Sequence, residues 1–342
     1  MRLFIDNAFN LYKGDIFVRI GIAYDTKDMY DTTDKLHFDF ADNDSILILK
    51  KELERLGYEV VLLGNAYNIM QLIKKDQLQC DIVYNTVEGI VSRNREGIIP
   101  ALLEINHIPY IGTDSYGLSL TLDKYMTKIL AGYHNIKTPP YCYIRYPQTE
   151  HSIEAALCEL EFPVIIKPNY EGNSSGISLC HDMNDAIQQI SLLLKQYQTD
   201  VLCEQFIYGK EITVPYIDSS PEKLWDVTTI DVQRSSDFWL DTKWKTQGDY
   251  NNIILDVDHN IKSQFEYAVN TLFRAIGCRD FCRFDFRLTA DNQIYFLEAN
   301  PLPSLFCGGS FDVVGRQHGY TYGQTIQLII ETALKRLSIP KI

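Results

Sequence analysis

In the stretch CRFDFRL (Cys282–Leu288) charged and apolar residues alternate. A period of two puts Arg283, Asp285 and Arg287 on one face of a strand and Cys282, Phe284 and Phe286 on the other. After a polar turn at Ala290-Asp291-Asn292 comes a second strand, Ile294–Asn300, in which Glu298 and Asn300 again share a face. Folded as a hairpin, the two strands bring the oxygen-bearing side chains of Asp285, Glu298 and Asn300 to neighbouring strand ends. Hard oxygen donors of this kind suit Mg²⁺, which takes few protein ligands and completes its shell with phosphate and water. An ordinary half-exposed antiparallel pair carries the same pattern, so spacing alone leaves both readings open.

Two further places have residues fit for phosphate or nucleotide chemistry. Lys167 ends the apolar stretch Phe162–Lys167 and precedes the loop EGNSSG (Glu171–Gly176). A lysine beside loop amides can hold phosphate oxygens, although a plain surface turn has the same composition. The loop is not a Walker loop, because GxxxxGK[ST] is absent. Glu204 and Glu211 bracket a turn at Gly209, either as exposed hairpin carboxylates or as contacts to the sugar or base of a nucleotide.

The elements that must hold these residues are legible from periodicity. Val18–Tyr24, Tyr58–Leu63 and Asp81–Asn85 read as buried strands. Between the first two lies a helix with Ser45 as its cap, Ile46, Leu49, Leu53 and Leu56 at helical spacing and Gly57 as its stop. The acidic stretch Asp25–Asp44 reads as a loop or lid. Strand–helix alternation over the first third predicts a parallel, Rossmann-like α/β lobe. A second lobe holds the helix of LDKYMTKILAGY, the strand Val164–Lys167 and a hairpin Val201–Ile217. A third holds a polar loop around Asp237–Asn252, a helix Lys262–Ile276 stopped by Gly277, the pair of strands that opened this reading and a helix Tyr322–Leu337. The expected divisions are 1–117, 118–217 and 218–342.

Composition narrows the function classes. The 342 residues are 46% hydrophobic and 23% charged, a globular balance with enough chain for two or three lobes. A net charge of −13 argues against broad nucleic-acid binding, which needs a basic surface, yet permits a local lysine cluster around a phosphate. No apolar run reaches the roughly 20 residues of a membrane span, and MRLFIDNAFNLYKGD lacks the apolar core of a signal peptide. Eight cysteines without a CxxC pair fit reduced thiols in a cytoplasmic protein.

Taken together, EGIIPALLEINHIPYIGTD (Glu96–Asp114), LDKYMTK (Leu122–Lys128), FPVIIKPNYEGNSSGIS (Phe162–Ser178), VLCEQFIYGKEITV (Val201–Val214), Lys243-Trp244, CRDFCRFDFRL (Cys278–Leu288) and FLEANPLPSL (Phe296–Leu305) resemble the D-alanine–D-alanine ligase branch of the ATP-grasp superfamily. The resemblance runs along nearly the whole chain from Asp81 onward. It implies an ATP-grasp fold, an N-terminal Rossmann-like lobe plus two α+β lobes clasping ATP. It further implies that Lys124 and Lys167 contact ATP phosphates, that Glu204 with the backbone of Phe206 and Ile207 holds adenine, and that Glu211 binds ribose. On the same basis Ser174 belongs to the phosphate-covering loop and Lys243 to a mobile loop near the γ-phosphate. Asp285, Glu298 and Asn300 are implied to be ligands of two Mg²⁺ ions, with Mn²⁺ as a substitute ion. Arg283 is implied to steady a tetrahedral intermediate, and the enzyme to work as a homodimer on small amino acids.

Departures from the family pattern cluster in the acceptor half. After Tyr24 the glycine-rich segment that meets the first D-alanine is replaced by DTKDMYDTTDKLHFDFADNDS, and Asn85-Thr86-Val87-Glu88-Gly89 replaces a His-Gly stretch. Asn173 stands for a usual serine, Trp244 for a tyrosine and Ser304 for a glycine. Arg93 and Arg95 are candidates for gripping a substrate carboxylate, with exposed loop arginines as the plainer reading. The expected activity is ATP-dependent carboxylate–amine ligation through an acyl phosphate. An authentic D-alanine–D-alanine ligase and an inactive nucleotide-binding relative are the rivals.

Overall fold

The computed structural model describes residues 18–30, 43–90, 92–172, 175–219, 221–231 and 251–339. In chain order the first lobe holds β1 (Arg19–Ala23), α1 (Asn43–Arg55), β2 (Glu59–Gly64), α2 (Ala66–Lys74), β3 (Ile82–Asn85), α3 (Ile98–Ile105), β4 (Tyr110–Ile111) and α4 (Ser115–Leu122). Its four strands are all parallel, in the order β2-β1-β3-β4, as strand–helix alternation requires. α1 starts at Asn43, so Ser45 lies inside its first turn and is not its cap. Asn43 and Asp44 are polar enough to occupy that turn, and Asp44 suits the positive end of the helix. Ile46, Leu49 and Leu53 face the core as their spacing predicts.

Next come α5 (Lys124–Tyr133), β5 (Tyr141–Ile144), α6 (Glu150–Leu157), β6 (Val164–Pro168), β7 (Ser178–Cys180), α7 (Met183–Tyr197) and β8 (Val201–Gln205). Strands β5-β8-β6-β7 form an antiparallel sheet whose core is filled from α6 and α7 by Ile153, Leu157, Ile190 and Leu194.

The last part holds β9 (Lys210–Ile217), β10 (Leu224–Trp225), β11 (Thr228–Ile230), β12 (Asn252–Ile254), α8 (His259–Ile276), β13 (Phe281–Leu288), β14 (Ile294–Asn300), α9 (Ser310–Gln317) and α10 (Tyr322–Arg336). A six-stranded sheet runs β12-β11-β9-β13-β14, with β10 paired to β9. Helix α8 begins three residues before the expected Lys262, because Asp258 accepts a hydrogen bond from the Ile261 amide and caps it there. Its apolar stripe of Phe265, Val269, Leu272 and Ile276 packs on Phe284, Phe286 and Phe296, the inward faces of β13 and β14.

The expected hairpin Val201–Ile217 does not form. β8 pairs with β5 and β6, whereas β9 pairs with β10, β11 and β13, so the two strands belong to different sheets. Residues 206–209 therefore carry the chain from one sheet to another.

Helices α9 and α10 return to the first lobe. Phe311, Val314, Ile326, Ile329, Ile330 and Ala333 share one core with Ile20, Ile22 and Leu53. Asp280 fixes this junction from just before β13. Its carboxylate accepts the Gly112 amide at 2.8 Å and the Arg336 guanidinium at 2.7 and 2.8 Å.

Candidate active site

One face of the six-stranded sheet carries most of the polar residues singled out above. Arg283 stands opposite Asn300 and Asp285 opposite Glu298 across β13 and β14, while Asp285 faces Thr213 and Arg287 faces Glu211 across β13 and β9. The structure thus brings Asp285, Glu298 and Asn300 together, with their apolar neighbours on the other side of the sheet. Arg283 lies along Asp285, with Nη2 at 2.8 Å and Nε at 3.1 Å from its two oxygens, and Thr213 donates a third hydrogen bond at 3.1 Å. Burial works against the charge on Arg283, but Asp285 more than offsets it and the guanidinium is held protonated. Asn300 Oδ1 accepts the Leu302 amide at 3.0 Å.

A cluster of lysines is set against this face by α5. Asp123 caps α5 by accepting the Met126 amide and also accepts the Asn169 side-chain amide at 2.8 Å. Asn169 in turn accepts the Tyr125 amide at 2.9 Å. The start of α5 is thereby tied to the end of β6, and with it Lys124 to Lys167. Lys124 Nζ lies 3.9 Å from Glu298 and donates to the Glu171 carbonyl. One turn along, on the same face of α5, Lys128 donates to the Leu297 carbonyl at 3.1 Å.

Lys128 also meets one oxygen of Glu204, and Lys167 meets the other. All three side chains are buried, so neither glutamate–lysine contact is a solvated surface pair. Glu204 is 3% exposed, which rules out the exposed hairpin carboxylate as a description of it. Burial alone would raise its pKa, but the two ammonium groups overcome that and hold it below the ordinary range. Lys128 is pushed down to about 8 by burial, with Glu204 opposing the shift and Lys167 adding to it. Lys128 sits in the quoted stretch LDKYMTK, yet its spacing from Lys124 has the look of a solvated helix face, and periodicity gave no reason to single it out.

The crossing between the sheets follows directly. Phe206 is buried and its amide donates to the Pro163 carbonyl at 2.9 Å. Ile207 is partly buried, and Glu211 pairs with Arg287 at 3.1 Å. Gly209 has φ +153°, and a Cβ there would lie 2.3 Å from the Leu288 carbonyl oxygen, so the turn needs glycine.

Of the two candidate substrate arginines, Arg95 is 4% exposed and its Nη1 donates to the Tyr170 carbonyl at 2.6 Å. Its guanidinium supports the segment leading into the EGNSSG loop. Arg93 is exposed beside the Tyr170 ring, 6.0 Å from its centre. Asp25, at the end of β1, is fully buried and accepts the Glu88 and Gly89 amides at 3.1 and 2.8 Å. Ser304 is exposed in the segment after β14. Asn173, Ser174, Lys243 and Trp244 lie outside the described residues, as do residues 31–42 of the acidic stretch.

The donor set fits Mg²⁺ by its chemistry. Two carboxylates and an amide oxygen lie on adjacent strands, all hard donors. Among the described residues no group of three or more His, Cys, Asp and Glu side chains is gathered for a metal.

Comparisons with known proteins agree with the fold. The family model "D-ala D-ala ligase C-terminus" matches residues 131–331. A D-alanine–D-alanine ligase of Carboxydothermus hydrogenoformans is 30% identical over 292 residues, covering 83% of this chain and 91% of that protein. Among solved structures, the D-alanine–D-alanine ligase of Bacillus anthracis complexed with ATP superposes with a TM-score of 0.71 at 21% identity, covering 95% of this chain and all of that one. The VanG D-Ala:D-Ser ligase of Enterococcus faecalis gives 0.71 at 16% identity, covering 93% and 100%.

Proposed function

The chain belongs to the D-alanine–D-alanine ligase family, and from that premise we propose a division of labour for its cleft. The enzyme is an ATP-dependent, ADP-forming ligase that makes an amide bond. We assign ATP phosphates to Lys124 and Lys167, ribose to Glu211, and adenine to the backbone of residues 204–207, with the Glu204 carboxylate holding Lys128 and Lys167 beside it. The observation that carries this assignment is the seating of Lys124 and Lys128 against Glu298 and the Leu297 carbonyl, which joins the lysine cluster to the acidic sheet face. Ser174 and Lys243 complete the phosphate contacts in this reading, on the strength of the sequence resemblance.

Asp285, Glu298 and Asn300 would hold Mg²⁺, which when bound neutralises charge on the phosphate oxygens. The substrate carboxylate takes the terminal phosphoryl group of ATP, giving an acyl phosphate and ADP. A free amine then attacks the acyl carbon, loses a proton and expels phosphate. Arg283 faces the developing oxyanion together with a backbone amide near Ser304, and one such donor is typically worth ~3–4 kcal/mol. Asp285 keeps that guanidinium charged and aimed.

We further propose that at least one substrate is an amino acid other than D-alanine. Support comes from where the chain departs from its family: Asn173, Trp244, Ser304 and the segment after β1, all on the acceptor side. The Asp25 carboxylate in that segment is taken up by backbone amides, so it serves the loop at 88–89. A site built to hydrogen-bond a substrate loses much discrimination when one such group is exchanged. The fold neighbour from Enterococcus faecalis, a D-Ala:D-Ser ligase, supports acceptor variation on this scaffold. Purified enzyme with ATP, Mg²⁺ and single or paired amino acids should release ADP fastest with a pair other than D-alanine alone, products being identified by mass. Fastest turnover on D-alanine alone, yielding only its dipeptide, overturns this part.

A cytoplasmic homodimer completes the reading. Eight cysteines without a CxxC pair support the compartment; no helix among the described residues is long and apolar enough to cross a membrane. Light scattering tests the dimer.

A further inference from the structure

Arg287 gathers three parts of the crossing between the sheets. It lies directly opposite Glu211 in the β13–β9 ladder and is 4% exposed. Nη1 donates to the Gly209 carbonyl at 2.9 Å, and Nη2 donates to Glu211 Oε1 at 3.1 Å. The same guanidinium stands 5.0 Å from the centre of the Phe206 ring. A lysine has one nitrogen and cannot reach a turn carbonyl and a carboxylate in this forked manner, nor stack its charge as a plane on an aromatic ring.

The geometry offers each contact something different. Without a partner, a glutamate near the start of β9 would have several rotamers to lose on meeting a ligand. Nη2 holds its Oε1, and the planar guanidinium thereby fixes how the carboxylate is turned. The Gly209 carbonyl is oriented by Nη1, and the backbone there passes so close to Leu288 that a Cβ would collide with it. Phe206 is pinned from one side by the guanidinium. The cation thereby sets the relative placement of the Phe206 ring, the turn and the Glu211 carboxylate before any nucleotide arrives.

We propose that Arg287 is a positioning residue for ATP, holding Glu211 in the orientation that accepts hydrogen bonds from the ribose hydroxyls and so giving the enzyme its preference for ribonucleotides. The inference rests on Glu211 being the ribose carboxylate. Preorganisation of this kind acts on binding and leaves the reacting groups near Arg283 untouched.

Calorimetric titration of full-length enzyme with ATP, 2′-deoxy-ATP and 3′-deoxy-ATP tests it, on wild type and on Glu211→Gln, Arg287→Met and Arg287→Lys. Wild type should bind ATP about tenfold more tightly than at least one deoxynucleotide, the worth of a hydrogen bond to a charged group. Glu211→Gln should bring that ratio close to one, and Arg287→Met should reduce it about fivefold with the carboxylate still present. Arg287→Lys keeps charge and length but loses the fork, so it should fall between Arg287→Met and wild type. A bridge with only a structural role would lower stability in the Arg287 variants and leave the ratio intact. An unchanged ratio in Arg287→Met and Arg287→Lys, with Glu211→Gln collapsed, overturns the role of Arg287 and spares that of Glu211. An unchanged ratio in Glu211→Gln overturns both. If Arg287→Met does not fold, Arg287→Lys decides alone.

Discussion

The carboxylate of Glu204 on β8 meets the ammonium of Lys128 on α5 where both are buried, and its other oxygen meets Lys167 on β6. One negative charge thus separates two positive ones away from bulk water. Replacing it by the neutral amide of Glu204→Gln leaves two buried ammonium groups facing each other. Removing one partner of a buried ionic cluster costs about 3–5 kcal/mol, and urea unfolding should read a loss of that size. Lys128→Met in the Glu204→Gln background should restore part of it, since only one buried cation then remains.

The same arrangement gives a pH dependence of stability. Lys128 loses its proton at about 8 in the folded protein and at about 10.4 in an unfolded chain. Between these values the unfolded chain binds a proton that the folded one has released, so unfolding free energy rises with pH across that window. Below about 8 both states are charged and the cost of burying the ammonium is present in full. Thermal melts of wild type and Lys128→Met from pH 7 to 10 should diverge, with the rise weaker in the variant. Parallel curves would remove Lys128 as the titrating group.

Glu298 has one side toward Lys124 and lies opposite Asp285 on the sheet face assigned to Mg²⁺. Glu298→Gln keeps the shape and removes the charge. ADP release should fall about 100-fold or more, while the melting temperature stays near that of wild type because Glu298 is only partly buried. Wild-type turnover from a folded Glu298→Gln protein would remove the metal assignment.

Gly209→Ala should strain the crossing between β8 and β9. The new methyl group would lie 2.3 Å from the Leu288 carbonyl oxygen, at a φ of +153° that side chains rarely adopt. We expect a stability loss of about 2–3 kcal/mol and a raised KM for ATP with kcat at saturation less affected. Unfolding curves and initial rates at varied ATP check the two parts separately.

How far the sequence discloses this molecule depends on whether a signal is local. Alternation along Cys282–Leu288 places Arg283 and Asp285 on one face whatever surrounds them, and the pairing of β13 with β14 follows from a short turn. The segment Val201–Ile217 shows the opposite case. Two strands flanking a glycine turn read as a hairpin, yet their partners come from β6 and β13, far away in sequence. Nothing within the segment encodes that choice. Lys128 escapes notice for a related reason: a lysine four residues after another is ordinary on a wet helix, and its burial comes from β8 and β14. Arg287 was visible as a face neighbour of Asp285, but its contacts with Gly209 and Phe206 arise only once β9 lies beside β13. For Arg95 the sequence offers a grip on a substrate carboxylate or an exposed loop arginine, whereas its guanidinium is buried on the Tyr170 carbonyl, 75 residues away in the chain.

The shared core of α9 and α10 with β1 and α1 has a consequence for synthesis on the ribosome. One side of the first parallel sheet has no complete cover until residues 310–336 have left the exit tunnel, although the strands themselves emerge early. Until then Ile20, Ile22 and Leu53 form a sticky surface on the nascent chain, of the sort that chaperones recognise. Translation must pass α10 before β1 and α1 can be buried against it.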